Sequence, residues 1–124
     1  MRKSLIAMAA LLAPVALHAA PAPHETVVTV LYNAPHDPTA FETYYAQKHL
    51  PLAGKMKGVE RIVLIKNLPG ADGSAPPYYR IAQLFFASPA LMAQSLASPE
   101  GQAVVADLKN FADGGVTVVT GEVP

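Results

Sequence analysis

The order in which strand-like and helix-like segments follow one another most constrains the fold of this chain. Thr26-Val27-Val28-Thr29-Val30-Leu31-Tyr32 is rich in β-branched residues and stops at Asn33-Ala34-Pro35, so it reads as a first strand. Asp37 before Pro38 supplies a helix N-cap followed by the residue best tolerated at the first helical position. That helix is expected from about Pro38 to His49 and, past a kink, toward Met56. Val59 to Lys66 reads as a second strand, and Leu68 to Pro77 is a run of breakers that makes a long loop. Tyr78 to Ala87 is the third strand expected. Ser88-Pro89 and Ser98-Pro99 repeat the cap-plus-proline start, giving helical pieces from about Pro89 to Ala97 and from Pro99 to Asn110. Gly114-Gly115 ends the second piece, and Val116 to Glu122 is the last strand. Strand–helix–strand, twice, predicts an α+β, ferredoxin-like βαββαβ domain with a four-stranded antiparallel sheet and two helices on one face.

The third strand adds a condition on the other face. With a period of two, Tyr79, Ile81, Gln83 and Phe85 share one side, while Tyr78, Arg80, Ala82, Leu84 and Phe86 share the opposite one. Both sides carry large apolar groups, whereas a sheet wetted on one face shows a cleaner polar alternation. A second copy of the chain is the simplest cover, so a homodimer is expected.

Residues 1–20 read as a secretory signal rather than as part of the fold. Arg2 and Lys3 give a positive start, Leu5 to Leu17 an uncharged apolar run, and Ala19-Ala20 the small residues of a cleavage site. The run is short for a membrane span, so the expectation is export to the periplasm or the exterior, with no membrane attachment after cleavage. Cleavage there removes Arg2 and Lys3, leaving seven basic against nine acidic residues, a net charge of −2. Residues 21–25 then form a flexible leader, and residues 26–124 the domain.

Composition closes off several functions. The 124 residues are 52% hydrophobic and formally neutral, with no basic stripe to neutralise phosphates, so nucleic acid is not an expected partner. There is no cysteine, hence no disulfide, thiol nucleophile or thiolate metal site. No metal is expected: His24 and His36 lie in leader and loop, and no His/Asp/Glu set has ligand spacing on one element. No cofactor is expected either. Gly70-Ala71-Asp72-Gly73 sits in a proline-rich loop rather than between strand and helix, and no Gly-x-Ser-x-Gly elbow exists.

Chemistry concentrates in Tyr44-Tyr45-Ala46-Gln47-Lys48-His49-Leu50-Pro51-Leu52. In a helix, Tyr45 and His49 stack one turn apart on one face. Pro51 cannot donate to the carbonyl of Gln47, so the helix should kink or loosen beside the imidazole.

The Tyr44-Tyr45-x-x-x-His49-x-Pro51-Leu52 segment stands between Val30-Leu31-Tyr32 and Gly58-Val59-Glu60. It is followed by Leu68-Pro69-Gly70-x-Asp72-Gly73, then Ile81 to Phe86, then Asp107-Leu108-Lys109-Asn110-Phe111. Together these blocks resemble the EthD family over roughly Val27 to Val123. The resemblance implies a dimeric α/β barrel, in which two ferredoxin-like subunits pack sheet against sheet and each encloses a pocket. Barrels of this kind include isomerases, monooxygenases and polyketide cyclases, and some members of the family itself are labelled reductases. Many relatives carry a histidine in the third strand where this chain has Gln83.

His49 is therefore the candidate acid/base, because imidazole exchanges protons near neutral pH; its plainer role is to cap the kinked helix. Tyr45 is its candidate aide, orienting the ring or donating to a developing oxyanion, or else a ring packed between helix and sheet. Tyr32, Gln83, Phe85 and Tyr44 are candidate ligand contacts, and Tyr32 and Gln83 could equally be satisfied buried polar groups. The four-residue step from Asp107 to Phe111 fits helix packing better than chemistry. Two functions follow as expectations. One is a binder of a small apolar or aromatic-type metabolite with cofactor-free acid/base chemistry, isomerisation or oxygenation. The other is a non-catalytic binding or accessory protein.

Overall fold

The computed structural model describes residues 24–124; the expected signal and most of the leader lie outside the described residues. The chain runs β1 (Thr26–Tyr32), α1 (Pro38–Tyr44), a π-helical turn (Tyr45–His49) and α2 (Leu50–Ala53). It continues through β2 (Val59–Lys66), β3 (Arg80–Phe86), α3 (Pro89–Ala97) and α4 (Pro99–Asp107), then a 3-10 turn (Leu108–Asn110) and β4 (Val116–Glu122). The strands form one antiparallel sheet in the order β2-β3-β1-β4. This is the ferredoxin-like arrangement the element order predicts.

The proline-marked starts work as expected. Asp37 Oδ1 accepts from Ala40 N at 3.1 Å, Ser88 Oγ from Leu91 N at 3.2 Å and Ser98 Oγ from Gly101 N at 3.1 Å. Each satisfies a first-turn donor that the helix itself leaves orphaned. The third strand is shorter than expected. Asn67 takes the Tyr78 carbonyl with its side chain, at 2.8 Å, and Tyr79 N donates to Tyr32 O, at 2.7 Å. Pairing with β2 and β1 therefore becomes regular only at Arg80, and Ala87 leaves the ladder before Ser88 caps α3. Glu25, which the sequence assigns to the leader, is already fixed: its carbonyl accepts from Val123 N at 2.8 Å and its carboxylate holds Arg61.

Register decides which residues meet the helices. Val28 pairs with Leu84 and Thr120, Val30 with Ala82 and Val118, and Tyr32 with Arg80 and Val116, so even-numbered residues of β1, β3 and β4 share a face. Val28, Tyr32, Ala82, Leu84 and Phe86 form the core with Phe41, Tyr45, Met56 and Phe111 from the helical side. The odd-numbered residues face the other way. There Ile81 and Gln83 are half-buried, and Val63 and Val119 are 36% and 48% exposed.

Candidate functional site

The helix after Asp37 presents Phe41, Tyr45, His49 and Ala53 to the core at steps of four residues, all of them buried. Pro51 has no amide hydrogen, and just before it the helix widens: Leu50 N bonds to the Tyr45 carbonyl five residues back. This is the loosening expected beside the imidazole, realised as a π-turn. The Tyr45 and His49 rings stack with centroids 5.9 Å apart and planes at 19°.

Opposite them, α4 ends on Asp107, and the 3-10 turn after it brings Asn110 back onto the same carboxylate. Tyr44 Oη donates to Asp107 Oδ1 at 2.6 Å and Asn110 Nδ2 to the same oxygen at 3.0 Å. Asp107 Oδ2 is left for His49 Nδ1, 2.9 Å away. Burial pushes the Asp107 carboxyl up, but the hydrogen bonds from Tyr44, Asn110 and His49 outweigh it and hold the group below the ordinary aspartate range. Burial pushes the His49 imidazole down, and the opposing pull of Asp107 is smaller. The ring is thus neutral at neutral pH and the carboxylate ionised. Since a carboxylate only accepts, the hydrogen is assigned to Nδ1 and the lone pair to Nε2.

Nε2 lies 3.5 Å from Tyr32 Oη, at the outer limit of a hydrogen bond. Burial pushes the Tyr32 phenol far above its ordinary range and Tyr45 up to about 12, so both are O–H donors at any physiological pH. Phe111 closes the back of the site with its ring centroid 4.5 Å from that of His49. Arg80, held by Glu42 through two hydrogen bonds, lies over the Tyr45 ring at 5.0 Å. The Tyr45 hydroxyl is buried without a partner among the described residues.

Tyr32, Tyr45 and His49 border a cavity of about 290 Å³ between the sheet and the helices. Val28, Val30, Ala82 and Leu84 form its floor on the sheet side. Ala53, Met56, Leu96 and Val104 roof it. Among the described residues, no charged side chain lines it.

Of the six residues the sequence singles out, the structure gathers Tyr32, Tyr45 and His49 at this cavity and puts Tyr44 behind it, on Asp107. Gln83 and Phe85 are not brought there. Both point to the opposite face of the sheet, where Gln83 Nε2 donates to Thr29 Oγ1 at 3.4 Å and Phe85 lies 3.7 Å under the Arg61 guanidinium. Asp107 is the functional candidate that sequence reasoning misses: it lies 58 positions from His49, and its step to Phe111 reads as packing. Among the described residues, no group of three or more His, Cys, Asp or Glu could hold a metal ion, and no helix is long and apolar enough to cross a membrane.

A ferredoxin-like α+β unit with a buried histidine–aspartate pair beside an apolar cavity is the class that fold and site define. Within it, the chain belongs to the EthD family, whose domain matches residues 33–115. It is 47% identical over 92 residues to an uncharacterized 11.0 kDa protein of the thcB-thcC intergenic region of Rhodococcus erythropolis, covering 74% of this chain and 88% of that one. Among solved structures it is similar to an EthD family protein from Bacillus halodurans. There the TM-score is 0.76 and the identity 24%, over 81% of this chain and 99% of the other. It is also similar to the hydroxynitrile lyase of Passiflora edulis, with a TM-score of 0.65 and 13% identity over 82% and 95% of the two chains.

Proposed function

We propose that this protein is an exported homodimer that binds a small apolar or aromatic-type metabolite between sheet and helices and moves a proton on it, with His49 as acid/base. The Asp107–His49 pair carries the reading: one imidazole nitrogen is committed to a carboxylate, and the other, which faces the Tyr32 hydroxyl at the outer limit of a hydrogen bond, belongs to a ring that borders a cavity of carbon. In an isomerisation, Nε2 takes a proton from one carbon of the ligand while the C–H electron pair stays on the ligand. Asp107 balances the imidazolium, and the proton returns to a different carbon. Nothing is consumed, so no cofactor is required; oxygenation would add dioxygen as a second substrate. Asp107 is a positioning residue in this scheme, because it acts through His49. That a hydroxynitrile lyase is built on the same fold supports an enzymatic use of such a cavity.

The test is His49→Ala, with the metabolite that co-purifies from the native host identified by native mass spectrometry. The variant is expected to keep the fold and the dimer and to lose turnover of that metabolite. Unchanged turnover would remove the acid/base claim. A second reading, sequestration without chemistry, is favoured by the nearly all-carbon lining and by the Tyr32 hydroxyl already in reach of Nε2. It expects ligand retention with no product in air or under reductant, and His49→Ala changing affinity alone.

The homodimer is supported by the half-buried apolar residues on the odd-numbered face of the sheet. Sedimentation at micromolar concentration should give twice the chain mass. Export is supported by the positive, apolar and small-residue succession of residues 2–20. Protein from the host should begin near residue 20 or 21, and an intact Met1 would contradict it.

A further inference from the structure

We infer that the cavity is a trough laid across the strands and open at both edges of the sheet, and that it takes one extended hydrocarbon chain of about ten carbons whose polar ends stay in water. This rests on the reading of that cavity as the binding site, and it adds the shape and class of the occupant.

Strand register gives the direction. Ile62 pairs with Leu84, Leu84 with Val28 and Val28 with Thr120, which makes one row across all four strands. Leu64, Ala82, Val30 and Val118 make the next row. Every member of both rows borders the cavity, so it crosses the sheet from the β2 edge to the β4 edge instead of running along a strand. Midway, Val28, Ala82 and Leu84 are buried. Both ends are open: Ile62 and Leu64 are 36% and 42% exposed at one edge, Val118 is 51% exposed at the other, and Thr120 beside it is exposed too.

Length and volume then give the section. Three inter-strand spacings make the trough about 14 Å long. Spread over that length, 290 Å³ leaves a section of about 20 Å². A single methylene chain has nearly this section, whereas two chains abreast or a compact cage are too wide. At about 30 Å³ for each water-sized group, the volume holds roughly ten carbons. Fully extended, at about 1.25 Å per bond, they span about 11 Å, so a polar group on either end emerges at an edge strand. Inside, the wall of carbon rewards each methylene by about fourfold in affinity, while a polar group left there would be buried without a partner.

Four alcohols test this by NMR titration: decanol, decanediol and hexanediol with a hydroxyl at each end, and the ten-carbon cage adamantanol. Decanol and decanediol are expected to bind saturably and within about threefold of each other, since both hydroxyls of the diol reach water. Hexanediol should bind at least about a hundredfold more weakly than decanediol, and adamantanol at least about tenfold more weakly than decanol. Bound decanediol should show nuclear Overhauser contacts to the methyls of both Leu64 and Val118. Ala82→Phe, midway along the floor, should weaken decanediol at least about tenfold, and Val104→Phe serves if that variant does not fold. Decanediol binding more than about tenfold below decanol, contacts at one edge alone, or adamantanol matching decanol would overturn the trough while leaving the cavity a binding site. No saturable binding of any alcohol would overturn both, so the two failures are distinguishable.

Discussion

The two faces of one sheet have opposite fates here, although the same strands build both. On the even-numbered face, Tyr32 and Phe86 are 1% and 0% exposed, and the helices close over them except where the cavity remains. On the odd-numbered face the central strands stay only half-buried at Val27, Leu31, Ile81 and Gln83, while the edge strands are exposed on both faces, Val63 and Val119 at 36% and 48% and Leu64 and Val118 at 42% and 51%. The pleat assigns alternate residues to alternate sides, but only the helices decide which side becomes interior and holds chemistry. An apolar strand thus states that both faces matter without saying which one carries the site.

Substitutions that strike one face and spare the other can break this contrast. Phe86→Ala, in the closed core, should cost the most, about 3–5 kcal/mol by urea unfolding, because a fully buried ring leaves a cavity. A cost below 1 kcal/mol would mean that the helix-facing side is loosely packed. Asp107→Ala comes next. It strips Tyr44, Asn110 and His49 of their shared acceptor and should cost about 2–3 kcal/mol. In ¹⁵N spectra it should also let the His49 hydrogen redistribute between Nδ1 and Nε2, and an unmoved tautomer would show that Asp107 does not set it.

Val119→Arg, on the open face, should change the stability of the single chain by no more than about 0.5 kcal/mol, as exposed substitutions generally do. In sedimentation, however, the variant should run as a monomer. If the dimer survives, this face is not the interface. The smallest effect is that of pH on the closed face. His49 is harder to protonate folded than unfolded, so its contribution is complete above its ordinary pKa near 6.5 and is lost as pH falls below that value. Asp107, held low, adds a further loss only as pH falls through the ordinary aspartate range. His49→Gln should therefore flatten the fall in stability that begins as pH drops below about 6.5; an unchanged slope there would contradict a buried neutral imidazole.

Much of the fold was legible because its punctuation is local. Asp37-Pro38, Ser88-Pro89 and Ser98-Pro99 start helices through contacts that span three residues, and the expected starts match. β1, β2 and β4 keep their expected bounds for the same reason, while β3 begins late because Asn67 and Tyr32 claim the backbone of Tyr78 and Tyr79. The site was legible only where it follows helix periodicity. Tyr45 and His49 are one turn apart, and the stacking expected of them is present. Asp107 reaches His49 from the far end of the chain, and nothing in its neighbourhood advertises that carboxylate as a partner. Gln83 and Phe85 could not be separated from Ala82 and Leu84 by pattern alone, since both sets are compatible with an interior.

The π-turn beside Pro51 is best understood as a correction of phase. Steps of four residues overshoot an ideal α-helical turn by about 40° each, so a regular helix carrying Phe41, Tyr45, His49 and Ala53 would gradually screw its buried stripe out of the core. One wider turn takes up that slippage. Deleting a single residue there, Ala46 for instance, would shorten the chain by very little. His49 would then stand three positions after Tyr45, a step that a regular α-helix also keeps on one face, so the wide turn would close and the ring would still face Asp107: the turn is the slack that lets one extra residue pass without disturbing the mesh of helix and sheet.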